Sequence, residues 1–192
     1  MTILDIERAK LSFIARYNPD RQQSVALAKA LGAAAQHNLL YSKPHTTTEK
    51  RAAQEKWKVA LTEIGKRFEG DITVDVYEKM VLELKDTMNQ SFPSLFDNGS
   101  SDGSMFRVSH AQKSISVYIK HLWCCGEIAE PNICPVDRVI LKRTAAKNRF
   151  DLLKWTGVNS IEEYRVRFDF IRQAAHAASM SVACWELSHF ST

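Results

Sequence analysis

Apolar side chains recur along this chain in steps of three and four, the spacing that gathers them on one face of an α-helix. The clearest run begins at Thr46-Thr47-Thr48-Glu49, a capping box in which the threonine and glutamate side chains satisfy N–H groups of the first turn. Behind it Ala53, Trp57, Ala60, Leu61, Ile64 and Phe68 share a face, and Gly70 ends the run. A second helix follows Thr73, with Tyr77, Met80, Val81, Leu84 and Met88 in register. Asn18-Pro19-Asp20 opens another through Ala26, Ala30 and Ala33, and Ile3 to Arg16 forms one more. Ser160-Ile161-Glu162-Glu163 repeats the capping box ahead of Tyr164, Phe168, Ile171, Ala175 and Ala178. That last stripe reads as core, not as a cofactor box.

No stretch alternates with a period of two, and no segment repeats. With seven Gly and five Pro, the chain carries few breaks. The pattern predicts an all-α fold, a compact bundle of about seven or eight helices in two layers with a cleft between them. Residues 1–192 read as one domain. A Gly-, Ser-, Asp- and Asn-rich stretch at 91–104 reads as an exposed loop or a linker between an N-terminal and a C-terminal layer.

Composition adds limits. At 192 residues, 45% hydrophobic and 25% charged, the chain builds a core without disulfides or metals. Its 26 Lys and Arg against 22 Asp and Glu leave a formal charge of +4, which permits nucleic-acid binding without arguing for it. Met1 to Arg8 places charges where a signal peptide is apolar, and the longest uncharged run near the C-terminus, Gln173 to Trp185, is too short to span a bilayer. Adjacent Cys124 and Cys125, with Cys134 and Cys184, do not form a disulfide pattern. The expectation is a reduced, cytoplasmic protein with no membrane contact.

The candidate chemistry lies between Met105 and Leu141. Val108, Ala111, Ile115, Tyr118, Ile119 and Leu122 define the buried face of a helix that Gly126 caps. Lys113 and Lys120, with Ser109 and Ser116, lie opposite that stripe. Pro135 then suits a first helical turn, and Asp137 falls in the same turn, at the positive end of the helix dipole. Arg138, Lys142, Arg143, Lys147 and Arg149 follow. Arg138 to Lys154 has Asp151 as its only acid and reads as a phosphate-contacting surface.

A Lys on an amphipathic helix, a turn, and Pro135-Val136-Asp137 opening another helix together resemble the helix-hairpin-helix DNA glycosylases. The 8-oxoguanine glycosylases, the archaeal type nearest, match best, over roughly residues 106–141. The chain departs from them before Lys113, where Arg107 to Gln112 holds no counterpart of the family's Gly-hydrophobic-Gly turn. The resemblance implies that Lys113 attacks C1′ of a damaged nucleotide and forms a Schiff base, with Asp137 supporting the developing positive charge. It implies duplex DNA as partner, for which Lys120, Arg138, Lys142, Arg143 and Lys147 are the candidate contacts by charge, and no cofactor or metal is expected. Such enzymes flip the nucleotide out and stack it on aromatics, for which Trp123, Phe106 and Trp185 are available.

Other readings stay open. Asp137 also serves as a plain helix stabiliser and Lys113 as a solvated charge, which leaves a non-catalytic helical interaction or regulatory protein, or DNA binding without catalysis. His110 is either a proton shuttle beside Lys113 or an ordinary helical histidine. His121, Cys124, Cys125 and Cys134 match no standard zinc spacing.

Overall fold

The computed structural model describes residues 2–36, 40–41, 45–70, 72–96 and 106–190. Among them nine α-helices form and no strand does. They are α1 (Ile3–Tyr17), α2 (Gln23–Ala35), α3 (Thr47–Lys66), α4 (Val74–Ser91), α5 (Val108–Cys125), α6 (Arg138–Leu141), α7 (Phe150–Leu153), α8 (Ile161–Ala177) and α9 (Val182–Phe190). The all-α expectation holds.

Local chemistry accounts for the boundaries. Thr46 Oγ1 accepts the Glu49 N–H at 3.1 Å, and Glu49 Oε2 accepts the Thr46 N–H at 2.8 Å. Ser160 and Glu163 make the same exchange at the start of α8, and Thr73 caps α4 through the Val76 N–H. α3 ends at Lys66 and tightens into a 3₁₀ turn, Arg67–Glu69, before Gly70. α2 starts later than Asn18-Pro19-Asp20 suggests. The Asn18 amide instead bonds both the N–H and the carbonyl of Gln22, closing a turn with Arg21 in the left-handed region at φ 51°. Of the loop expected at 91–104, Ser91 belongs to α4, while Leu95 and Phe96 are buried against the core, with Phe96 edge-on to Phe106. Residues 97–104 lie outside the described residues.

α5 is the centre of the molecule. Sixteen of its eighteen residues are buried, and it packs against α1, α2, α3, α4 and α8. α3 approaches α5 closely at Gly65, where a Cβ would sit 2.8 Å from Cε1 of Tyr118. The polar side of α5, read from sequence as solvent-facing, is therefore inside. Each hydroxyl there finds a partner on another element: Ser114 accepts the Trp57 indole N–H at 3.0 Å, Ser116 pairs with the Tyr77 hydroxyl at 2.7 Å, and Ser109 donates to the Thr156 carbonyl at 2.8 Å. Burial without these bonds would cost about 1–3 kcal/mol per group.

The main core extends from Ala26 of α2 to Trp185 of α9. It includes the stacked rings of Tyr164 and Phe168. A smaller cluster joins α1, the end of α5 and α9 through Phe13, Ile14, Trp123, Cys124, Ala183 and Leu187. α1, α2, α5 and the segment from Pro135 to α9 all contribute residues to one cleft.

Candidate functional site

The cleft has a volume of about 990 Å³. Lys113, Val117, Lys120 and His121 of α5 form its floor. Phe13, Lys29 and Gly32 of α1 and α2 also line it, as do Asp137, Trp155, Glu186 and Phe190. Sequence reasoning placed Lys113 and Asp137 together, and so does the fold.

What joins them is Gln112. Its Nε2 donates to the Val136 carbonyl at 2.9 Å, and its Oε1 accepts the Val136 N–H at 3.3 Å. This two-point clamp fixes the peptide that precedes Asp137. α6 begins at Arg138, so Asp137 is its N-cap and not part of its first turn, and Pro135 lies ahead of the helix. Asp137 Oδ1 accepts the Ile140 N–H at 3.0 Å, while Oδ2 accepts from the Lys113 ammonium. Burial alone pushes the Asp137 carboxyl up; the Lys113 charge and the backbone N–H groups of the cap outweigh it, and the net shift is downward. Asp137 is a carboxylate. The Lys113 ammonium also lies 5.8 Å from the centre of the Trp155 ring, within cation–π range.

A second buried pair shares the floor. Lys120 donates to Glu186 Oε2 at 2.6 Å, and its ammonium sits 3.9 Å from the centre of the Phe190 ring and 4.7 Å from that of Phe13. Lys120 was expected among the DNA contacts at the surface; it is only 5% exposed, because α9 brings Glu186 and Phe190 over it. Two polar atoms here have no hydrogen-bond partner among the described residues, Glu186 Oε1 and His121 Nδ1. Burial, then the charges of Lys120 and Lys29, pulls His121 down to about 4, so its ring is neutral. An unmet buried acceptor costs about 1–3 kcal/mol.

The mouth is basic. Lys29, Arg138, Lys142 and Lys154 line it and make no ion pair among the described residues, whereas both lining carboxylates are already paired. Arg143 and Lys147 are exposed beyond it. Such a one-signed, concave surface concentrates anions.

The remaining sequence-flagged groups lie elsewhere. His110 Nδ1 accepts the Arg107 N–H at 3.0 Å; burial, then Arg107, holds it neutral with a pKa lowered to about 3. It is a capping residue of α5. Trp123 packs under Lys10, Phe106 sits edge-on to Trp57 in the core, and Trp185 stacks on His189. The cleft's aromatics are Phe13, Tyr17, Trp155 and Phe190, which periodicity assigned to no site. Glu186 was missed as well. Burial raises Cys124 to about 12 and Cys184 to about 11, leaving both as thiols. Among the described residues no three His, Cys, Asp or Glu side chains gather as a metal-holding group, and no helix is long and apolar enough to cross a membrane.

Comparison with protein-family models, with curated proteins and with solved structures finds no match to this chain.

Proposed function

We propose that the chain is a base-excising DNA glycosylase with lyase activity, acting on duplex DNA through Lys113. The observation that carries this reading is the buried Lys113–Asp137 pair on the floor of a basic cleft. An amine aimed into a cleft beside a fixed carboxylate has the two groups that displacement at a sugar carbon requires. The four cations at the mouth suit phosphates.

The step balances as follows. The Lys113 ammonium gives one proton to the departing base, Nζ bonds to C1′, and the glycosidic C–N bond breaks. A second Nζ proton passes to O4′ as the C1′–O4′ bond opens. The third remains on the protonated imine. Asp137 stays ionised throughout the charge build-up because the Ile140 N–H continues to hold it when Lys113 turns to the sugar.

The test is borohydride trapping on a duplex containing an abasic site. Wild type is expected to give a covalent adduct, Lys113→Ala none, and Asp137→Asn an adduct formed about 100-fold more slowly or worse. No adduct and no duplex affinity in the wild type would favour the other reading, a helical interaction protein whose ion pairs are structural.

A further inference from the structure

Four consecutive residues, Leu153, Lys154, Trp155 and Thr156, line the cleft where the chain passes from α7 into a 3₁₀ turn, Trp155–Gly157. Two buried side chains grip that segment, and neither lines the cleft. Arg167 of α8 donates from Nε to the Leu152 carbonyl and from Nη2 to the Asp151 carbonyl, both at 3.0 Å. Its Nη1 donates to the Glu163 carbonyl of its own helix, also at 3.0 Å. Ser109 of α5 donates from Oγ to the Thr156 carbonyl at 2.8 Å and from its N–H to the Val158 carbonyl at 2.9 Å.

Both sets of bonds use groups that helix ends leave over. A helix cannot satisfy its last carbonyls or its first N–H groups internally. Asp151 and Leu152 belong to the single turn of α7, and Ser109 to the first turn of α5. Arg167 makes no ion pair among the described residues, so its rigid fork of donors is committed to carbonyls instead of a carboxylate. Lys113 stands one turn beyond Ser109 on the same face of α5, and its ammonium is 5.8 Å from the centre of the Trp155 ring. The helix that carries the amine therefore also fixes the backbone that carries the ring.

We propose that Arg167 and Ser109 are positioning residues for the reaction at Lys113. Gripping the backbone on either side of Trp155, they hold its ring against the Lys113 ammonium, which gives Nζ a fixed place when it leaves Asp137. Each acts through Trp155 from behind the cleft. The proposal rests on Lys113 as the reacting amine of the function above.

The experiment has two readouts. Borohydride trapping on the abasic duplex gives the rate at saturating duplex and, separately, the duplex concentration for half that rate. Acetic anhydride labelling of the protein alone, mapped by peptide mass spectrometry, gives the accessibility of Lys113. S109A, which keeps the backbone N–H bond, and R167M are expected to slow saturated trapping about 10- to 100-fold and to leave the half-saturating concentration unchanged. W155L should slow it alike and W155F much less. Adding S109A or R167M to W155L should slow it no further. Labelling of Lys113 should rise in S109A and R167M, and no further when either is added to W155L. Should R167M fail to fold, S109A decides. Trapping and labelling in S109A equal to wild type overturn the proposal and leave the Lys113 mechanism standing. A slowing that multiplies with that of W155L also overturns it, because Ser109 then acts by another route. Labelling that rises through Trp155 in a protein that gives no adduct upholds the grip on Lys113 and sinks the glycosylase. No adduct and no change in labelling overturn both.

Discussion

Lys113 and Lys120 lie on one helix, about 10 Å apart along its axis, and each is buried against one carboxylate. The likeness ends at the acid. Asp137 uses both oxygens, one on Lys113 and one on the Ile140 N–H at the start of α6. Glu186 uses one, on Lys120, and the other has no partner among the described residues. Among the described residues Lys113 has Trp155 within cation–π range, whereas Lys120 is covered by Phe13 and Phe190. The same pair of functional groups thus yields two devices. At Asp137 a backbone donor keeps the carboxylate oriented and charged when its lysine leaves, which is what a reacting pair needs. At Glu186 the lysine is enclosed by two rings and the second oxygen is buried without a partner among the described residues.

Breaking each pair separately should give the largest effects. Lys120→Met leaves Glu186 charged, buried and alone, and is expected to lower unfolding free energy in urea by about 3–5 kcal/mol. Combining it with Glu186→Leu should recover most of that loss. Lys113→Met should cost less, because Asp137 keeps its cap bond. Equal losses at the two sites would erase the distinction drawn here.

Acid should probe the same contrast. The unfolded chain protonates His121 near 6.5, whereas the folded chain resists until about 4. Stability is then full above about pH 6.5 and falls as the pH drops toward 4, by an amount on the order of 3 kcal/mol. His110 acts in the same direction, so the informative quantity is the difference between wild type and His121→Leu, whose acid limb should be shallower. Asp137 works at lower pH. Its lowered pKa contributes stability above the ordinary carboxylate range that is lost as pH falls through the folded value, so Asp137→Asn should lose less below about pH 4. Urea midpoints across pH 3–7 measure both effects.

Gln112→Ala removes the clamp on Val136 and touches neither lysine. Trapping through Lys113 is expected to slow about 10- to 100-fold, with a stability loss of about 1–3 kcal/mol. An unchanged trapping rate would show that Asp137 is placed by its cap alone. Smallest is Ser179→Gly between α8 and α9. Ser179 holds a φ of 52°, so glycine should raise the melting midpoint, by up to about 1 kcal/mol in stability, without altering trapping.

The sequence disclosed the parts of this molecule that local rules govern. Thr46, Thr73 and Ser160 cap the helices they were read to cap, and Gly126 ends α5 in the left-handed region at φ 81°. Lys113 and Asp137 were both marked, the first by its helix and the second by Pro-Val-Asp. What stayed illegible was tertiary. Ser109, Lys113, Ser116 and Lys120 form a polar face by periodicity, and only the packing of other helices shows that the face is buried and matched atom by atom. Glu186 carried one usable signal: it is the first charge after the uncharged run ending at Trp185, and a lone charge on an apolar helix needs a partner. Arg138, Lys142, Arg143 and Lys147 remain exposed at or beyond the mouth as read, whereas Lys120 does not.

The central claim is that Lys113, and not its neighbour Lys120, is the reacting amine. Peptide mass spectrometry of the borohydride-reduced adduct tests it most directly, because each lysine yields its own modified fragment. Reaction through Lys113 leaves the deoxyribose remnant on Lys113 and Lys120 unmodified. A remnant on Lys120, or equal labelling of both, would contradict it.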